Sequence, residues 1–277
     1  MSLMTIPAGT QVYDVSSDPV VALGITYTDS ELDQSITGGV VDALCDTTGK
    51  DELAAMLSGI SDTEFGESVI NGILDSEVDP EDWRVGETIA EVYLQDHRNC
   101  EFPWPSSRDL KNPTASPAGT DMVGFQLIGD NDFRFAYGEV KASYEKNCPP
   151  SVMKNEHGMR NQLRGLVQDT YIKNNLLEYM GHRAVQASTT WQDKYKQAAK
   201  RYLRNPDDVS LFGVLIRDVN PDEKDLRSCA KALVTDCKAP TSMELRALYL
   251  PHGALDPGGK ATSLSKRVKQ SKGGDDS

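Results

Sequence analysis

Residues 120–143, TDMVGFQLIGDNDFRFAYGEVKAS, constrain the fold more than any other stretch of the chain. Two runs of alternating apolar residues flank one turn signal, IGDND at 128–132, and this pattern predicts an antiparallel hairpin. Centring a three-residue loop on Gly129, Asp130 and Asn131 sets Leu127 opposite Phe133, Phe125 opposite Phe135 and Val123 opposite Tyr137. Asp121 then falls opposite Glu139, and Lys141 shares its face because strand side chains alternate. A slip of one residue would scatter these groups. Burying charges costs several kcal/mol unless they are paired or do chemistry. An aromatic, core-facing stripe that ends in Asp121, Glu139 and Lys141 therefore points to a site.

The preceding segment, DPEDWRVGETIAEVYLQDH, carries helix-start signals at Asp79 and Pro80 and apolar residues at helical spacing. Glu87 and Glu91 are four apart and stack on one helical face, whereas Val85, Ile89 and Val92 occupy another. Three or four carboxylates and one lysine can thus converge. Carboxylate oxygens suit Mg²⁺ or Mn²⁺, and a lysine beside such an ion orients or activates water and offsets developing negative charge. Phosphodiester hydrolysis is the chemistry this set suits.

WRVGETIAEVYLQDH, PAGTDMVGFQ and FAYGEVKAS, in that order, resemble the PD-(D/E)xK nuclease superfamily and, more narrowly, its HamA/AbpA family from Hachiman-type bacterial antiphage systems. The resemblance covers about residues 81–220. It implies an α/β fold with a restriction-endonuclease-like αβββαβ core, metal-dependent DNA cleavage in the cytoplasm, and a HamB-like helicase partner. It further implies that Asp121 and Glu139 are metal ligands, that Lys141 positions water, and that Glu91 or Glu87 supplies a further ligand or a supporting acid. Gln162, in RNQLRGLVQDT, stands where related nucleases carry a glutamine on the helix after Glu-x-Lys. The proline of the superfamily name is not beside Asp121, since Pro117 lies four residues earlier. A nuclease-derived adaptor that binds DNA or a partner without cutting is the competing expectation.

Charge is distributed unevenly. Residues 1–80 hold 15 acids and one base, Lys50, while the remainder holds 27 acids and 28 bases. The net charge of −13 therefore resides in the first segment, and the acidic average does not exclude a nucleic-acid partner. Residues 4–80 are expected to form a small acidic α+β module, able to mimic nucleic acid or block a cleft; 81–258 the nuclease domain; and 259–277 a disordered basic tail. Arg108, Lys111, Arg160 and Arg164 are candidate phosphate contacts, although scattered bases are more often surface solvation.

Other segments read as strands at 18–28, 209–219 and, more weakly, 244–252, and as helices at about 155–180 and 189–204. The proline-rich stretch 101–119 reads as loop. No long apolar run predicts a membrane span and no basic-then-apolar leader opens the chain, so a soluble, cytosolic protein is expected. The five scattered cysteines favour free thiols, and His97 and Cys100 lack a second ligand pair for zinc. TTGKD at 47–51 lacks the remaining residues of a phosphate loop.

Overall fold

A computed structural model describes residues 5–60, 64–74, 80–104, 108, 120–187, 189–255 and 262–272. The frame is a mixed seven-stranded sheet whose strands are β1 (Thr10–Asp14), β2 (Val20–Thr26), β3 (Cys100–Glu101), β4 (Met122–Gly129), β5 (Asp132–Ser143), β6 (Val209–Arg217) and β7 (Ser242–Tyr249). Their order is β1-β2-β7-β6-β5-β4-β3. β2, β7, β6 and β5 run parallel, whereas β1 pairs antiparallel with β2, β4 with β5, and β3 with β4. All nine residues of β6 are buried, as a strand covered on both faces requires.

Helices cover both faces. In chain order they are α1 (Asp29–Ser35), α2 (Val41–Cys45), α3 (Thr47–Ser58), α4 (Glu64–Leu74), α5 (Asp82–Arg98), α6 (Met159–Gln168), α7 (Thr170–Gln186), α8 (Thr189–Arg204), α9 (Lys224–Leu233) and α10 (Leu264–Lys272), with a π-helical turn joining α1 to α2. One core packs Phe125, Phe133, Phe135 and Tyr137 of the hairpin beneath residues of α6 to α9. The other packs Ala136, Val140, Phe212, Val214 and Ile216 against α1, α5 and α10. Each fully buried aromatic ring in the hairpin contributes roughly 2–3 kcal/mol by removal from water.

The hairpin has the predicted pairing: Leu127 with Phe133, Phe125 with Phe135, Val123 with Tyr137, and Met122 with Gly138. Only the turn differs. Gly129 pairs with Asp132, the register shifts between Leu127 and Gly129, and the loop shortens to Asp130 and Asn131. Asn131 takes the left-handed conformation at φ 56°, which asparagine tolerates.

Three expectations are corrected. The helix expected across 155–180 is two helices divided at Asp169, whose carboxylate caps α7 by accepting from Tyr171 N at 2.8 Å. The boundary expected at residue 80 does not divide the sheet. All seven residues of β2 pair in parallel with β7, and Ile6, Leu32, Ile36 and Val40 share a core with α5, because the exposed flank of β7 needs a partner strand. Of the acidic segment, α3 has no buried residue and lies at the periphery. The tail expected to be disordered contains α10, held by buried Leu264 and Val268 one turn apart and by Arg267, which binds Asp29 and Asp33. Residues 273–277 lie outside the described residues, as do Asp79, Lys111 and Pro117. Among the described residues, no helix is long and apolar enough to cross a membrane.

Candidate active site

The site grows from a mismatch in strand length. β4 begins at Met122, opposite Gly138, whereas β5 runs on to Ser143. Val140 consequently has no β4 residue to receive its N–H. The side chain of Asp121 takes that place, with Oδ2 accepting the bond at 2.8 Å. An aspartate at this position thus substitutes for a strand at an open sheet edge while its other oxygen remains available.

Glu139 lies beside it on the face of β5 that carries Phe135 and Tyr137, and it is only 2% exposed. Its strand neighbour on the other side is Gly213 of β6. A Cβ there would stand 2.8–2.9 Å from Leu245, Leu163 and Met159, so the glycine lets α6 sit close against the sheet next to the acid. Lys141 follows on the same face, its Nζ 3.3 Å from Glu139 Oε1, with 20% of the side chain exposed. The predicted trio is therefore assembled: Asp121 and Glu139 act directly on each other, and Lys141 bonds Glu139.

α5 approaches from the opposite face of the sheet. Gly86 packs near Ala142 and Ile216, which brings the half-buried Glu87 to the open edge. The charges of Asp121 and Lys141 act on Glu87, whereas those acting on Glu91 come from Arg84 and Asp46. Glu87 is the helix acid beside the trio, and Glu91 stands one turn behind it. Arg84, which the sequence reading passed over, acts on both. The 84, 87, 91 spacing on one helical face was the signal for it.

Burial and mutual repulsion make this a cluster of reluctant anions. Burial first, then the Asp121 charge, pushes Glu139 up to about 8, against the opposing pull of Lys141. Burial also raises Asp121, opposed by the Val140 N–H and by Lys141. Glu87 is pushed up to about 8 by burial and by Asp121, and Glu91 to about 7 by burial. Burial and their mutual charge both favour the protonated forms of Asp121 and Glu139. A cation between them would favour the charged forms and reverse these shifts.

Among the described residues, no group of three or more His, Cys, Asp or Glu side chains is arranged to hold a metal ion. Two carboxylates are nonetheless a sufficient protein contribution for Mg²⁺, which keeps several waters and takes substrate phosphate oxygens as its remaining ligands. The orientation of the pair, one oxygen of Asp121 committed to backbone and its carboxyl beside Glu139, fits that donor set.

Of the remaining candidates, Gln162 sits on α6, the first long helix after β5, with a buried Oε1 that has no hydrogen-bond partner. Arg164 is paired with Asp236 at 2.9 Å. Arg108 is held by Asp46 through two bonds of 2.6 and 2.7 Å. His97 bonds the Ile6 carbonyl, and Cys100 is buried with its thiol toward the Arg98 carbonyl, so the two serve packing. TTGKD forms the first turns of α3, capped by Asp46. No family model matches the chain, and no curated protein sequence matches it.

Proposed function

We propose that this chain hydrolyses DNA phosphodiester bonds with Mg²⁺ or Mn²⁺ at a centre formed by Asp121, Glu139 and Lys141. The observation that carries the reading is the meeting of two neighbouring carboxyls and a lysine at the open edge of β5, where burial alone would select none of them. Supporting it is the order of elements from α5 to β6: a helix, three antiparallel strands, helices, then a strand parallel to the third. This order supports the proposed restriction-endonuclease-like αβββαβ core.

Asp121 and Glu139 would hold the ion, and Glu87, on which the charges of Asp121 and Lys141 act, would assist as the helix acid. A bound divalent ion polarises the phosphodiester and acidifies an attacking water. Lys141 keeps a flexible ammonium at the surface side of Glu139, where it orients that water and offsets charge on the phosphate. Residues after position 80 are nearly neutral in sum and give weak phosphate attraction, which supports delivery of DNA by a partner such as a helicase.

The test is incubation of linear and circular DNA with Mg²⁺ or Mn²⁺, with and without a candidate helicase partner and ATP, beside the Glu139→Ala, Lys141→Ala variant. Metal-dependent cutting that the variant loses is expected. A second reading, a non-catalytic adaptor, is favoured by the lack of a three-acid group among the described residues. No cutting under any of these conditions would select it.

A further inference from the structure

The pairing of Arg108 with Asp46 joins two parts of the chain that the sheet alone does not connect. The chain leaves β3 heading toward the end of β4 that carries Asp121, since Cys100 and Glu101 pair with Gln126 and Phe125 in turn. In sequence, Arg108 falls between β3 and Asp121. Its guanidinium stands 5.2 Å over the Trp104 ring, which also receives Arg183 at 4.7 Å. Its fork is closed on Asp46, with Nε bonding Oδ2 at 2.6 Å and one terminal nitrogen bonding Oδ1 at 2.7 Å.

Asp46 belongs to the acidic segment at the junction of α2 and α3, and its charge reaches Glu91, one turn from Glu87. α2, which ends just before Asp46, packs against α5, so the Arg108 fork lies on the side of that helix's acids. A two-bond fork on a carboxylate has the geometry of a two-bond fork on a phosphate. The pair is also accessible, with 26% of the Arg108 side chain and 18% of that of Asp46 exposed.

We propose that Arg108 is a phosphate-binding residue of the nucleic-acid path, and that the Asp46 carboxylate occupies its fork until a substrate phosphate takes that place. This rests on the phosphodiester reading and assigns the acidic segment a role in it, as an internal competitor for the strand. The exchange requires no unfolding. Asp46 also caps α3 by accepting from Gly49 N at 3.3 Å, a bond it keeps when Arg108 departs. Trp104 continues to support the guanidinium face.

The cap makes a clean variant available. Asn serves as an N-cap as well as Asp does and tolerates the left-handed backbone at φ 48°, so Asp46→Asn keeps the fold and removes the charge. The experiment is fluorescence anisotropy of the full chain with a short labelled DNA strand, in chelator to prevent cutting, over a range of salt. Asp46→Asn is expected to bind about three- to tenfold tighter than the unaltered protein, with a salt slope steeper by about 0.7–0.9 for one added phosphate contact. Arg108→Ala should bind more weakly, and in the double variant the gain should vanish. Equal affinity and slope for Asp46→Asn, a gain that persists without Arg108, or no binding by any of the proteins would each overturn the proposal. Metal-dependent cutting alongside an unchanged Asp46→Asn affinity would sink this assignment alone and leave the nuclease reading standing.

Discussion

Val140 donates its backbone N–H to the Asp121 side chain across the gap where β4 has ended, so one aspartate both closes the sheet edge and faces the Glu139 carboxyl. The two duties separate by substitution. Asp121→Asn keeps an acceptor for Val140 and should leave the melting temperature nearly unchanged while abolishing metal-dependent cutting. Asp121→Ala also loses the hydrogen bond, at a cost of about 1 kcal/mol, or about 2–4 °C for a chain of this size. If Asp121→Asn cuts normally, Asp121 is structural only.

Glu139 and Glu87, both pushed up to about 8, set the pH dependence of stability. Their folded-state values exceed the unfolded ones, so the folded state binds more protons between the two. The stabilisation is complete below the ordinary glutamate range and is lost as pH rises through about 8. Glu139→Gln should therefore be more stable than the parent at pH 9 and should match it near pH 5. Thermal melts in chelator across that range measure the difference. A constant gap at all pH values would show that Glu139 does not titrate there.

Metal binding should carry the same proton. A divalent ion at Asp121 and Glu139 displaces a proton from the pair, so Mn²⁺ titrations at pH 7 in buffers of different ionisation enthalpy should report release of about one proton. Apparent affinity should fall by about tenfold per pH unit below 7. Binding without proton release would place the ion elsewhere.

The hairpin was legible because period-two alternation and a single turn leave one register, and with it the meeting of Asp121, Glu139 and Lys141. The pairing of β2 with β7 was not, because parallel strands joined across most of the chain carry no local turn signal. β7 itself read as a weak strand because Glu244 and Arg246 look exposed. In the fold they are buried and bind each other, and Arg98 also reaches Glu244. α10 was hidden by its composition: in LSKRVKQSK only Leu264 and Val268 are apolar, and two anchors one turn apart are too few to stand out among lysines. The choice between Glu87 and Glu91 needed three dimensions, since both lie on the same helical face and only the position of α5 relative to the sheet edge separates them.

The anchoring of α10 can be tested directly. Leu264 and Val268 are fully buried in the core shared with α5. Leu264→Ala should cost about 2–4 kcal/mol through lost burial and a residual cavity. Exposed Lys266, two residues on, should tolerate alanine within about 0.5 kcal/mol. Equal melting temperatures for both variants would show that the helix contributes nothing to the folded state.

Gly213 provides the last test because it links packing to the site. Any side chain there meets Leu245, Leu163 and Met159 within 3 Å, and two of these belong to α6. Gly213→Ala must therefore displace the ends of Leu163, Met159 and Leu245 beside Glu139, at a cost of up to about 1–3 kcal/mol as in other overpacked cores. Loosening that packing also opens the surroundings of Glu139, whose raised pKa is due first to burial. Gly213→Ala should thus lower the pH by which the fall in stability is complete, in addition to reducing stability throughout. The combined Gly213→Ala, Leu163→Ala variant, which restores room for the methyl group, should recover much of the original pH midpoint. A midpoint unmoved by Gly213→Ala would mean that α6 does not set the environment of the acid.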